Sequence, residues 1–209
     1  VIDFDWRTAA AADIQVVLRD RSRSLRKVRL FCVACCRARA DRLGHPLCHD
    51  LLGLAEAFAD DGSAAARARM AAGRQRVRGW ALSAGRADSV GYDVAEYFRR
   101  WAVVLAATPK LLPLPEPFLD PAELFRDLLA DIFDDPFRPV TFNPEWRTSA
   151  AVQLAAQMYE ARDFAHMPIL ADALQDAGCE HPAVLAHCRD PHATHVRGCW
   201  VVDLVLGKG

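Results

Sequence analysis

No apolar run in this 209-residue chain approaches the roughly 18 residues that a membrane-spanning helix demands. Runs such as Trp101 to Ala107 and Trp200 to Val202 stop far short of it. The opening stretch VIDFDWRTAAAAD begins with acids and lacks the basic region and apolar core of a secretion signal, so a cytoplasmic setting is expected. Phosphate-loop and dinucleotide fingerprints are missing: there is no GxxxxGK[ST] and no GxGxxG, and the closing LGKG is too short to stand for either. An even cysteine count is missing too. Seven cysteines do not fit a secreted disulfide framework, and in a reducing compartment they read as free thiols, core fillers or metal ligands.

What is present is ordinary globular material. Apolar residues make up 52 % of the chain and charged residues 25 %, which excludes an intrinsically disordered composition and leaves ample side chain for a core. Net charge is near zero but unevenly spread. Up to Ala107 there are 18 Lys/Arg against 12 Asp/Glu, a balance of +6; from Thr108 onward there are 8 against 15, a balance of −7. A basic first half docking onto an acidic second half accounts for this without an external partner.

Hydrophobic spacing predicts helices almost throughout. Ile14, Val17 and Leu18 mark one over about Ala9 to Arg19. Leu25, Val28, Phe31, Cys32 and Cys35 form the stripe of a basic amphipathic helix over about Leu25 to Leu43. Pro46 opens a partner that runs to Ala59, and Ser63 caps an Ala/Arg-rich segment to Ala84 whose core face is thin and which Gly73 and Gly79 interrupt. A strongly apolar face predicts a helix over Val90 to Ala107. Thr108 to Pro121 then holds five prolines in fourteen residues, a strap rather than a helix. Asp120-Pro121-Ala122-Glu123 has the signature of a helix start, leading to about Phe133 with Leu124, Phe125, Leu128, Leu129 and Ile132 inward. DDPFRPVTFNPEW reads as an ordered loop pinned by Phe137, Phe142 and Trp146. Further helices follow from Ser149 to Arg162, from Pro168 to the stop at Gly178, from Pro182 to Cys188 and from Cys199 to Leu206.

Chemistry-bearing residues concentrate at the end. Leu174 to Gly209 holds three of the seven cysteines and four of the seven histidines. Cys179, Cys188, His195 and Cys199 could close a tetrahedral zinc site, with His181, His187 and His192 interspersed, although the spacing is that of no standard finger. Cys32 and Cys35 supply a CxxC pair as alternative ligands. They sit in LFCVACC, which has no Gly or Pro to form a metal knuckle and reads as helix interior. The competing view makes all these cysteines core residues, Cys179 a residue just past a helix end, and the histidines solvated loop residues. A thiol enzyme is a further alternative. His187 and Cys188 are adjacent and diverge by about 100° on a helix, whereas His195, Cys199 and Asp203 share one face if the last helix begins early enough. Asp203 would then lie beyond the thiol rather than behind the imidazole.

The closing segment HVRGCWVVDLVLGKG, with PILADALQDAGC and LAHCR before it, resembles the C-terminal signature of an uncharacterised bacterial family found chiefly in planctomycetes. The similarity extends back through AAQMYEARDF and DIFDDPFRPVTFNPEW, and more weakly to SLRKVRLFCVACCR. The resemblance implies relatives and supplies no activity.

The expectation is therefore an all-α domain of seven to nine helices with a proline-rich central strap, residues 1–209 forming one domain. Any subdivision falls into a basic half, 1–107, and an acidic half, 121–209, joined by 108–120. The expected function is a non-enzymatic helical interaction or scaffold module with a protein partner, with zinc the candidate metal. A Cys/His enzyme built on the C-terminal cluster is the first alternative. The second is nucleic-acid binding through Arg19 to Arg42, where nine Lys/Arg stand against two Asp with Phe31 the lone interleaved aromatic.

Overall fold

The computed structural model describes Thr8 and residues 24–38, 45–83, 122–135 and 139–208. Among them are eight α-helices and no strand, so the chain is all-α. They are α1 (Leu25–Arg37), α2 (Pro46–Asp60), α3 (Ala64–Ser83), α4 (Ala122–Ile132), α5 (Ser149–Ala161), α6 (Met167–Asp176), α7 (Pro182–Arg189) and α8 (Trp200–Leu206), with a 3-10 turn at Pro144–Trp146. The helices expected over 9–19 and 90–107, and the proline strap, lie outside the described residues. Two compact units emerge, one holding α1 to α3 and the other α4 to α8.

In the first unit α2 packs against both α1 and α3. α1 ends at Arg37, several residues before the expected Leu43, and buries Leu30, Phe31, Cys32, Val33, Cys35 and Cys36. α2 starts as its sequence dictates: Pro46 occupies the first turn, and the Nδ1 of His45 accepts the Leu47 backbone N–H at 3.2 Å. α3 runs unbroken through Gly73, where an interruption was expected. Ala66, Met70, Gly73 and Val77 form its buried stripe. A Cβ at Gly73 would stand 2.6 Å from Leu54 Cδ1 of α2, so the missing side chain makes room for that leucine.

Two basic residues of α1 find acidic partners on α2 of the same unit. Arg26 Nε donates to Asp60 at 2.9 Å, and Arg37 grips Glu56 through two hydrogen bonds of 2.7 and 3.2 Å. Arg29 lies over the Phe58 ring at 4.6 Å. Glu56 is almost fully buried, its side chain 3 % exposed, while Arg37 keeps 35 % of its own.

In the second unit α5, α6, α7 and α8 surround a core of Ala151, Ala155, Met158, Leu170, Leu174, Val184 and Val201 together with Cys179, Cys188 and Cys199. Helix ends follow local chemistry. Thr148 caps α5 by accepting Ala151 N–H. Gly178 takes φ +85° after α6, with Gly178 N–H bonding to Gln175 O and Cys179 N–H to Leu174 O, the paired bonds of a Schellman stop. The DDPFRPVTFNPEW loop is ordered over its described part: Asp134 accepts Val140 N–H, Asn143 caps the 3-10 turn, and Phe142 meets Trp146 edge-on at 5.1 Å.

Arg37→Ala is expected to remove the paired charge beside the buried Glu56 carboxylate and destabilise the first unit by about 2 kcal/mol, below the full cost for a wholly buried pair because Arg37 is partly solvated. A urea melt followed by circular dichroism measures it; an unchanged midpoint would remove the pair from the account.

Candidate functional site

The histidines and cysteines of the C-terminal segment do not simply disperse into core and solvent. Three segments of the second unit bring four of the reactive side chains to one place: Asp131 near the end of α4, His187 in the last turn of α7, and His195 and Cys199 on the turn that leads into α8. One ligand-type atom from each lies within 4.8 Å of the other three.

Asp131 is the hub. Its Oδ1 stands 2.7 Å from His195 Nδ1 and 3.2 Å from His187 Nε2, and its Oδ2 accepts the Val196 backbone N–H at 2.9 Å. Its side chain is 2 % exposed. Cys199 Sγ lies 3.3 Å from His187 Nε2 and 4.0 Å from His195 Nδ1, and the two imidazoles meet edge to face at 4.9 Å. Trp200 closes the far side by donating its indole N–H to His187 Nδ1 at 3.2 Å.

That last bond fixes a tautomer. An indole N–H only donates, so His187 Nδ1 must accept, and the neutral ring carries its proton on Nε2, facing Asp131 and Cys199. His195 is the reverse: Nδ1–H points at the Asp131 carboxylate, and the buried Nε2 has no partner. Burial alone would raise the Asp131 carboxyl, but the hydrogen bonds from His187 and His195, together with their charge interactions, outweigh it and hold it below the usual carboxylate range.

The turn that presents His195 and Cys199 is fastened at several points. Gly198 adopts φ +99°, which a side chain would strain, and Cys199 N–H closes back onto Val196 O at 2.9 Å. Arg197 turns away from the hub, donating to Tyr159 O at 2.7 Å and to Glu160 at 2.9 Å while its guanidinium covers the Tyr159 ring at 4.6 Å. Lys208 lies 4.2 Å from the same ring and so holds the C-terminal end of α8 against α5.

Of the expected set Cys179, Cys188, His195 and Cys199, the structure gathers His195 and Cys199 and leaves the other two out of the four-residue cluster. Cys179 is the residue immediately after the glycine that stops α6, where an apolar side chain folds back on the helix, and it is fully buried. Cys188 is core; burial, with Cys179 and Asp131 adding, pushes its thiol up to about 12. Cys32 and Cys35 are buried within α1, their thiols raised well above the ordinary range by burial and by each other or by Cys36. In place of Cys179 and Cys188 the cluster has His187, read above as interspersed, and Asp131, which was not singled out. The proposed His195, Cys199, Asp203 face does not form: α8 begins at Trp200 with Cys199 as its cap, so His195 is not on the helix.

A thiol, an imidazole and a carboxylate within hydrogen-bonding distance invite comparison with a nucleophilic triad, but the wiring differs. In a triad the carboxylate holds the nitrogen opposite the one that faces the nucleophile. Here the same Nε2 of His187 faces both Asp131 and Cys199, and Trp200 holds the opposite nitrogen. Cys199 is 0 % exposed, and burial followed by the Asp131 charge pushes its thiol well above the ordinary value.

Comparison of the chain with protein-family models, with curated proteins and with solved structures found no match.

Asp131→Asn is expected to cost about 2–4 kcal/mol at neutral pH, because the two imidazoles and the Val196 N–H lose their common anion. A carboxyl depressed on folding stabilises above its unfolded value of about 4, and that stabilisation fades as pH falls through the lower native value. Acid unfolding of the parent chain should therefore be steeper than that of Asp131→Asn; parallel acid limbs would show that the hub contributes no such linkage.

Proposed function

We propose that this chain is a non-enzymatic helical scaffold or interaction module with a protein partner, its C-terminal unit pinned by the Asp131 hub. The observation that supports it is the fate of Cys199. The thiol best placed for nucleophilic chemistry is sealed from solvent, raised in pKa and engaged with the groups that would have to activate it. All seven cysteines are buried and none is in a disulfide, which suits a reducing, cytoplasmic setting. No described helix is long and apolar enough to cross a membrane.

Nucleic-acid binding through the Arg19 to Arg42 segment finds less support. Arg26 and Arg37 are already committed to Asp60 and Glu56, and Arg29 to the face of Phe58. The likeness to the planctomycete family stands beside this reading and adds no chemistry to it.

Two measurements test the proposal. Native iodoacetamide treatment should leave Cys199 unmodified until denaturant is added; rapid alkylation of Cys199 in the folded protein would favour the thiol enzyme instead. Retention on DNA or RNA at low salt, falling steeply as salt rises, would favour the nucleic-acid reading over a protein partner; the module reading expects flow-through.

A further inference from the structure

We infer that Asp131, His187, His195 and Cys199 form a binding site for one divalent cation of the zinc class, a ligand set that draws on α4 as well as on the C-terminal segment. The donor chemistry points there first. One carboxylate oxygen, two imidazole nitrogens and one thiol sulfur are a borderline-soft set that suits zinc and does not suit magnesium or calcium, which take oxygen.

Geometry agrees. A tetrahedral ion with bonds of roughly 2.0–2.3 Å spaces its donor atoms about 3.3–3.7 Å apart. The four separations given by the structure are 2.7 Å (Asp131 to His195), 3.2 Å (Asp131 to His187), 3.3 Å (His187 to Cys199) and 4.0 Å (His195 to Cys199). The Asp131–His195 pair would open by about half an ångström, and the remaining separations all lie within 4.8 Å, so shifts of roughly half to one ångström bring the four donors onto one ion.

Charge closes as well. A carboxylate and a thiolate together neutralise a doubly charged ion, so the loaded centre is a buried group of zero net charge. Without the ion, the buried Asp131 carboxylate is offset by the two imidazoles and one backbone N–H. Cys199 gives up its thiol proton to solvent when the ion binds, and the ion's own field removes the penalty that burial and Asp131 place on the thiolate. The four ligands are protein atoms and the cluster is nearly sealed, with His187 the most open at 15 % side-chain exposure and His195 at 6 %. A closed four-ligand site of this kind is structural rather than catalytic.

One feature opposes the ion and sets the strength of the site. Ligation through His187 Nε2 and His195 Nδ1 moves the ring protons to the opposite nitrogens. At His187 that proton meets the Trp200 indole N–H, and at His195 it reaches the nitrogen that has no partner. Outer acceptors of this sort are worth about 10- to 100-fold in metal affinity, so the site should bind more weakly by about that factor than one with both acceptors in place.

The experiment is a cobalt(II) titration of the full chain after chelator treatment and dialysis, followed by absorption and native mass spectrometry. One cobalt per chain is expected, with a thiolate-to-cobalt charge-transfer band in the near ultraviolet, the strong visible bands of a tetrahedral ion, and displacement of both by zinc. Cys199→Ser should lose the charge-transfer band, and the double variant Cys32→Ala, Cys35→Ala should keep it. A folded chain that takes up no stoichiometric ion, an ion bound without the thiolate band, or a band that survives in Cys199→Ser would each overturn the inference. Should Cys199→Ser fail to fold, histidine ring-nitrogen spectra of the parent chain decide. Zinc must shift His187 and His195 and leave His45, His49 and His166 in place; the opposite pattern contradicts the site. A scaffold module meets its partners with or without the ion, so failure of metal uptake leaves the alkylation result untouched.

Discussion

A carboxylate with 2 % of its side chain exposed must find its compensation inside the protein, and Asp131 finds it in three places that are distant in sequence. His187 comes from the end of α7, His195 and Val196 from the turn that follows, and Cys199 from the cap of α8. The short α8, only seven residues long, could not hold its position by helix propensity alone. It stays because the hub anchors the turn before it, Val201, Val202 and Val205 enter the core, and Lys208 closes on Tyr159 behind it. The same anchor turns Arg197 outward to α5, so one buried acid coordinates the placement of α4, α5, α7 and α8.

This arrangement underlies the proposed non-catalytic reading of a segment dense in histidine and cysteine. Catalytic groups need a substrate's access and a hierarchy in which one group activates the next. In the hub most of these groups engage one another, the Nε2 of His195 excepted. His187 is held at both nitrogens, Asp131 at both oxygens, and Cys199 lies beneath the surface. The same convergence underlies the inferred metal site, where Cys199 would give up its proton and the ring protons would move to the opposite nitrogens.

Much of the fold was legible from local chemistry. Pro46 and Pro182 begin helices where expected, Gly178 ends one, and the apolar stripes of α2 and α4 face inward as their spacing implies. Errors were confined to features whose deciding partner is remote or whose cap is ambiguous. Gly73 suggests a break when read alone, yet it is a contact point for Leu54 in a continuous helix. Within the first unit, Arg26 and Arg37 pair with Asp60 and Glu56 of α2.

The candidate site was half legible. His195 and Cys199 stand out by residue type and spacing, and Cys179 and Cys188 stand out equally, because spacing cannot tell a ligand from a small buried thiol. Asp131 gave no local sign of chemistry, lying 64 residues before His195. One signal was there to be used: Asp131 follows Leu124 and Leu128 at positions i+7 and i+3, on the apolar face of α4, where an acid needs a partner.

The most direct test of the hub is the tautomeric state of its two histidines in the metal-free protein, read from long-range proton–nitrogen correlations of the imidazole rings. The structure predicts opposite forms, His187 carrying its proton on Nε2 and His195 on Nδ1. Both rings in the same form, or the two assignments exchanged, would contradict an Asp131 carboxylate shared by both imidazoles with Trp200 at the back of one.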